Sequence, residues 1–205
     1  MTDPATALQT PYVSRAQAAA VSEVPPATPV SFDDLYRAEF SYVWRSLRRL
    51  GARPADVEDL AHDVFVVVHR KLADYDTARP IRPWLFGISF RVASDYRRRA
   101  RFRAEVATGR VEAESTQPHP DDRIAAEQDR ALVLEALETL DFDRRAVFVM
   151  HDIDGISAPD IAGALDVPVN TVYSRLRVAR QRFTAAARRL GGGRARGGRA
   201  CGGQP

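Results

Sequence analysis

Large apolar residues return every three or four positions along most of this chain, with polar residues between them. After Ser31, the residues Tyr36, Phe40, Val43, Leu47 and Leu50 mark one face of a helix. The opening S-F-D-D is a capping-box pattern, and Gly51 is a natural stop. A second helix begins near Pro54–Asp56 and carries a stripe of Val57, Leu60, Ala61, Val64, Phe65, Val68 and Leu72. Asp74 to Arg82 reads as a loop. Pro83 starts a third helix, with Trp84, Leu85, Ile88, Val92 and Tyr96 at core spacing, and the helix ends in the basic run Arg97–Arg103. Helical spacing returns by Asp122: Ile124, Ala131, Leu134 and Leu137 lead to Leu140. A short helix from Asp143 to His151 presents Val147, Phe148 and Met150.

The segment from Ser157 to Leu190 carries the most information. Ser157 is placed to cap a short helix, with Asp160 three residues on and Pro159 tolerated in the first turn. Ile161, Ala162 and Leu165 form its apolar stripe. Asp166 stands where the chain must turn, and Asp tolerates left-handed geometry. Asn170 is the expected cap of the next helix. There Val172, Leu176, Ala179, Phe183 and Leu190 share one face. Ser174, Arg177, Gln181 and Arg188 lie opposite, with Tyr173, Val178 and Thr184 at the borders. This is the outline of a helix-turn-helix whose second helix could enter a DNA major groove. An Arg-rich solvated face on an ordinary helix pair gives the same pattern.

No stretch alternates as a strand does, so the expected fold class is all-α: two small helical bundles joined by a flexible linker. The expected division is a disordered arm over 1–30, a first bundle over 31–103, an acidic linker over 104–121, a second bundle over 122–190 and a flexible Gly/Arg-rich tail over 191–205. The 205 residues suffice for two small domains. Residues 1–30 lack the basic start and apolar core of a signal peptide. The run Val64–Val68 is far too short to span a membrane, so no membrane insertion is expected. A single cysteine, Cys201, allows no intramolecular disulfide and suits a reducing cytoplasm, the expected location. The role of the arm and of the tail with Cys201 is not legible.

The net charge of +3 conceals segregation. Residues 33–103 carry 15 Lys/Arg against 10 Asp/Glu, and residues 104–130 carry 3 against 7. Residues 131–190 balance at 8 and 8, but six of those bases lie in the last helix. Two basic surfaces with an acidic connector point to a polyanionic partner.

Catalytic arrangements are missing from the pattern. His62 and His69 are seven apart, too far for a helical metal pair. His151 with Asp152 and Asp154 is only a weak hint of a metal site, without further ligand spacing. Asp56, Glu58, Asp59 and Asp63 share a helix with no paired nucleophile, which suits a solvated or docking face. No cofactor motif is present, and neither a catalytic nor a metal site is expected. The third helix interleaves Trp84, Phe86, Phe90 and Tyr96 with Arg91 and the Arg97–Arg103 cluster, a mixture suited to unstacked bases and phosphates. Trp84 and Phe86 are also candidates for the core, Trp84 before Phe86.

Taken together these residues resemble an extracytoplasmic-function (ECF) sigma factor of the sigma-70 family, over about Phe32 to Leu190. The first bundle resembles sigma region 2 through D-L-Y-R-A-E-F, A-D-V-E-D-L-A-H-D-V-F, P-W-L-F-G-I and D-Y-R-R-R. The second resembles region 4 through L-E-T-L-D-F-D-R-R-A-V-F-V-M and I-A-G-A-L-D-V-P-V-N-T-V-Y-S-R-L-R-V-A-R.

The resemblance implies a promoter-specificity subunit, not an enzyme, that binds core RNA polymerase, recognises −35 and −10 elements and aids melting at −10. Asp56, Asp59, His62 and Asp63 would dock on the clamp helices of the largest polymerase subunit. Tyr75, Asp76 and Arg79, in the loop that would receive a flipped base, and Arg91, Arg97, Arg98 and Arg99 would meet −10 DNA. Asn170, Thr171, Tyr173, Ser174, Arg175, Arg177, Arg180 and Gln181 would meet the −35 element. The implied partners are core polymerase and promoter DNA, and an anti-sigma factor is a candidate because many family members are held by one. The chain departs from the family pattern at His62, Arg91, Asn170, Tyr173 and Val178, so the −35 sequence does not follow from relatives. A stand-alone helix-turn-helix regulator and a protein-binding helical adaptor remain as alternatives. The promoter sequence, regulon and inducing signal are not legible in the chain.

Overall fold

The computed structural model describes residues 31–106 and 123–197, and among them all regular structure is helical. The order is α1 (Phe32–Arg49), α2 (Val57–Lys71), α3 (Ile81–Val106), α4 (Arg123–Glu138), α5 (Phe142–Phe148), α6 (Ala158–Leu165) and α7 (Val169–Gly197). The arm 1–30, the stretch 107–122 and residues 198–205, with Cys201, lie outside the described residues.

The first three helices form because their apolar stripes need one another. Val43 and Leu47 of α1, Val57, Val64 and Val68 of α2, and Leu85 and Phe86 of α3 are all fully buried. Each such side chain contributes about 1.5–3 kcal/mol relative to an exposed position. Tyr36 and Phe40 pack against Phe65, with ring centroids 4.7 and 6.1 Å apart. Gly51 ends α1 at φ +94°, and Ala52 N–H donates to Leu47 O at 3.0 Å, the bond that closes a left-handed helix stop. The expected cap at the other end is only half realised. Ser31 takes the extended N-cap conformation, but its side chain makes no capping hydrogen bond.

The helix-turn-helix is built as its sequence indicates. Ser157 Oγ accepts from Asp160 N–H at 3.3 Å and donates to the Asp160 carboxylate at 2.6 Å. Asp166 sits at φ 54°, ψ 53°, closing α6 in the left-handed region. Val172, Leu176 and Ala179 anchor α7 in the core. Asp141 caps α5, accepting from Arg144 N–H at 3.1 Å. A single π-helical turn, Val149–Ile153, follows and buries Val149 and Met150.

Several expected details differ. α7 begins at Val169, so Asn170 lies inside the first turn and is not the cap; Thr171 N–H bonds Pro168 O at 2.9 Å. α3 begins at Ile81 and continues to Val106, and α7 continues to Gly197, past the expected ends at 103 and 190. The glycines 191–193 each cost a helix about 1 kcal/mol relative to Ala. Residues Leu85 to Ser89 are all buried. α3 is enclosed on every side at that point, because α1 and α2 cover one face and α6 another. Phe86 is therefore core, while Trp84 is only half-buried.

A single hydrophobic cluster runs through both groups of helices, from Leu35 to Ala179. No helix among the described residues is long and apolar enough to cross a membrane.

Candidate nucleic-acid interface

The exposed face of α7 is the simplest of the candidate surfaces. Core burial of Val172, Leu176 and Ala179 turns Asn170, Tyr173, Ser174, Arg177, Arg180 and Gln181 outward, with Thr171 and Arg175 half-buried. Ser174 Oγ donates to Thr171 O at 2.9 Å, within its own helix. Arg175 is tied to Asp143 at 2.6 Å, and Arg180 makes a forked pair with Asp152, Nη2 to Oδ1 at 2.6 Å and Nε to Oδ2 at 2.9 Å. Arg180 holds the Asp152 carboxyl below its ordinary range, against the opposing effect of burial. Arg177 has no ion-pair partner among the described residues, which leaves its guanidinium available to a phosphate or a base edge.

The loop after α2 is held by contacts among its own residues and with α3. Tyr75 packs on Trp84 with ring centroids 4.8 Å apart, and its hydroxyl donates to Arg79 O. Asp76 accepts from Ala78 N–H at 3.0 Å and pairs with Arg79 at 3.3 Å. A cavity of about 560 Å³ opens beside these residues, lined by Tyr75, Asp76, Arg79 and Trp84 on one side and by Pro159 and Asp160 of α6 on the other. Arg91, Arg98 and Arg99 are exposed along α3. Arg97 is set apart from them. It is half-buried over the Phe142 ring, 5.0 Å from the centroid, and burial with its neighbour Arg101 lowers its pKa.

On α2, Asp59, His62 and Asp63 are exposed, with Glu58 and Val66 beside them in the sequence. An acidic face with an exposed apolar Val66 suits a protein partner better than DNA. Asp56 is engaged differently. Tyr96 Oη donates to it at 2.6 Å and Arg53 Nε at 2.9 Å, and the tyrosine bond is the largest cause of its lowered pKa. Asp56 thereby ties the start of α2 to α3.

The sequence hint at His151, Asp152 and Asp154 does not gather into one site. Asp152 turns to Arg180, whereas Asp154 is bound by Tyr42 and Arg49. Among the described residues no three His, Cys, Asp or Glu groups are placed to hold a metal.

Sequence reasoning missed the residues between the two helical groups. Asp154 joins Tyr42 across 112 residues, and burial raises its pKa against the opposing charge of Arg49. Phe90 stacks on Phe142 at 4.8 Å. Arg145 is only 5% exposed, and burial lowers its pKa, as does Arg97. No spacing rule flags contacts of this range.

Two family descriptions match the chain in order: Sigma-70 region 2 over residues 35–103, and Sigma-70 region 4 over residues 130–183. The ECF RNA polymerase sigma factor SigL of Mycobacterium tuberculosis is 33% identical over 77% of this chain and 89% of its own length. The RNA polymerase sigma factor CnrH of Cupriavidus metallidurans is 32% identical over 69% of this chain and 78% of its own. Among solved structures, CnrH in complex with the cytosolic domain of CnrY aligns at TM-score 0.55 and 30% identity, covering 75% of this chain and 85% of that one. The sigma factor RpoE of Bartonella quintana, solved with the anti-sigma factor NepR, aligns at TM-score 0.62 and 22% identity, over 76% and 95%, a likeness of fold.

Proposed function

The chain belongs to the ECF class of the sigma-70 family, and from that membership we propose that it binds core RNA polymerase in the cytoplasm and directs it to promoters by reading −35 and −10 elements. It acts as a specificity subunit without a catalytic site. The units over 31–103 and 122–190 are its two working domains, joined by the acidic linker 104–121. The exposed α7 face around Ser174, Arg177 and Gln181 reads −35 DNA in the major groove. The loop at Tyr75, Asp76 and Arg79, with Arg91 and Arg97–Arg99, holds unpaired −10 bases and their phosphates. Melting is driven by capture of those bases, not by hydrolysis.

The observation that carries this reading is the coexistence of two chemically different exposed surfaces. α7 presents Ser174, Arg177 and Gln181, whereas α2 presents Asp59, His62 and Asp63. A stand-alone regulator of duplex DNA has no use for the second surface. Polymerase docking at α2 accounts for it. Relatives solved with CnrY or NepR bound make an anti-sigma factor a candidate further partner.

Reconstitution with core polymerase on promoters from the source genome tests the proposal. The full chain should co-purify with core and support initiation. Asp59→Asn with His62→Ala should weaken core association by an order of magnitude and leave binding to duplex DNA nearly unchanged. A chain that neither associates with core nor initiates at any promoter would falsify the proposal.

A further inference from the structure

Among the described residues, Arg145 is the only charged residue that is buried, at 5% exposure. Its place is set by α5, whose next three residues, Ala146, Val147 and Phe148, all belong to the core. Arg145 Nε has no hydrogen-bond partner among the described residues. Nη2 reaches Leu140 O only at 3.5 Å, beyond the usual range of such bonds. An arginine does not shed its charge at any ordinary pH. The cost of its burial therefore stands until an anion meets it.

A second guanidinium shares the space. Nη1 of Arg145 and Nη1 of Arg97, from α3, both lie within 3.3 Å of one point, the place a Cβ on Gly51 would take. Gly51, at φ +94°, leaves that room open. Burial is the largest cause of the lowered pKa at both arginines. Arg97 adds to it at Arg145, and Arg101 adds to it at Arg97, while the charge of Glu138 opposes it at Arg145 as the smallest of the causes. No carboxylate among the described residues forms an ion pair with Arg97, Arg101 or Arg145.

Arg97 connects this pair to solvent. With Ser94, Arg98, Arg101, Phe102 and Phe142 it lines a cavity of about 510 Å³ along α3. Arg98 is paired with Asp95 at 3.0 Å. Arg101 and Phe102 are exposed, so the cavity is open to water. The Arg97 guanidinium rests over the Phe142 ring, 5.0 Å from its centroid. Such a contact is weaker than a charge-assisted bond to an oxyanion.

We propose that Arg97 and Arg145 form an oxyanion site that takes a phosphate group, with Arg101 at its mouth. A tetrahedral phosphate carries oxygens on several sides, so one group accepts from two guanidinia that face the same point. Arg97 swings from Phe142 to the anion, and the anion reaches Arg145 from the cavity. The bound phosphate restores to Arg145 the counter-charge that burial withholds. Arg97 is among the residues given to −10 DNA above, but the oxyanion site does not rest on that assignment: it needs neither polymerase nor promoter. A free phosphate and the backbone of a DNA strand offer the same group.

Calorimetric titration of the full chain with inorganic phosphate, against sodium chloride of matched ionic strength, tests the site. Wild type should bind phosphate and gain a thermal stability that chloride does not give. Arg145→Met keeps the apolar stem and removes the charge, and it should weaken phosphate binding by about tenfold or more. Without phosphate it should be at least as stable as wild type, because a buried charge lacking a counter-ion is gone; added phosphate should stabilise the wild type alone. A packing role for Arg145 predicts instead a loss of stability that is the same with and without phosphate. Arg145→Lys, which keeps the charge and loses the planar fork, should bind with intermediate affinity. Phosphate that acts no differently from chloride, or that binds Arg145→Met as it binds wild type, overturns the site. A fluorescent single-stranded DNA separates the two sources. Displacement of the strand by phosphate from wild type but not from Arg145→Met assigns the site to a DNA phosphate, and simultaneous binding of both assigns it to a free one.

Discussion

The carbonyl oxygen of Ala164 lies 2.7 Å from the position a Cβ would occupy on Gly87, and the next two nearest atoms also belong to Ala164. Only a glycine lets α6 come this close to α3. The obstacle to a side chain is backbone, which cannot rotate away as a flexible side chain could.

Gly87→Ala should therefore force α6 from its seat, at a cost of about 1–3 kcal/mol for overpacking. Small-angle scattering of the free chain should show a larger radius of gyration, with helicity retained. An unchanged radius would mean that the two groups absorb the methyl without separating.

Arg177 is exposed on α7 with no ion-pair partner among the described residues. Arg177→Ala should leave thermal stability within about 0.5 kcal/mol of wild type, as surface changes do. It should weaken binding to a −35 duplex by about 1–3 kcal/mol if it contacts a base, and relax specificity at one position. Fluorescence anisotropy on single-base variants of the duplex separates this from a phosphate contact, which would weaken all sequences alike.

Ser157 both accepts from Asp160 N–H and donates to the Asp160 carboxylate. Ser157→Ala should cost about 1 kcal/mol of stability, read from the urea midpoint at constant slope. Ser157→Asp should recover most of the loss, because Asp is an equivalent cap. If Ser157→Ala proves neutral, the start of α6 is held by packing alone.

Acid should loosen the helix-turn-helix unit. Asp152 has a lowered carboxyl pKa, chiefly through Arg180; at Asp141 burial acts to raise the pKa, but the hydrogen bonds from Arg144 and the charges of Arg144 and Arg182 together leave it lowered. A depressed folded pKa contributes stability above the unfolded value, near 3.9 for Asp, and loses it as pH falls through the folded value. Asp152→Asn should thus be less stable than wild type at pH 6, by no more than about 1 kcal/mol for so accessible a pair. The difference should vanish near pH 2. Urea unfolding from pH 6 to pH 2 checks both points.

Much of this architecture is local and could be read directly. The stripe Val57, Leu60, Ala61, Val64, Phe65 and Val68 is buried as its spacing requires. Ser157 caps α6 and Asp166 turns the chain because both act within a few residues. The outward face of α7 follows from the same periodicity. Asn170 misled because the cap lies outside the helix, and a start at Val169 moved Asn170 into the first turn. The spacing favours Trp84 over Phe86 for the core, and the structure reverses that order: Phe86 is fully buried and Trp84 half-buried, since α3 is buried on all sides from Leu85 to Ser89 and periodicity cannot single out a face there.

The sequence by itself determined helix class, the order of the helices and which side of α2 and α7 faces water, because hydrogen bonds within helices and three-to-four-residue spacing are local. Only the tertiary structure decided what lies between the two groups: Asp154 against Tyr42 and Arg49, Ala164 against Gly87, and a buried Arg145 whose Nε has no hydrogen-bond partner among the described residues. Those contacts join residues far apart in the chain, and their energies depend on desolvation and close packing, quantities that no short window of sequence contains.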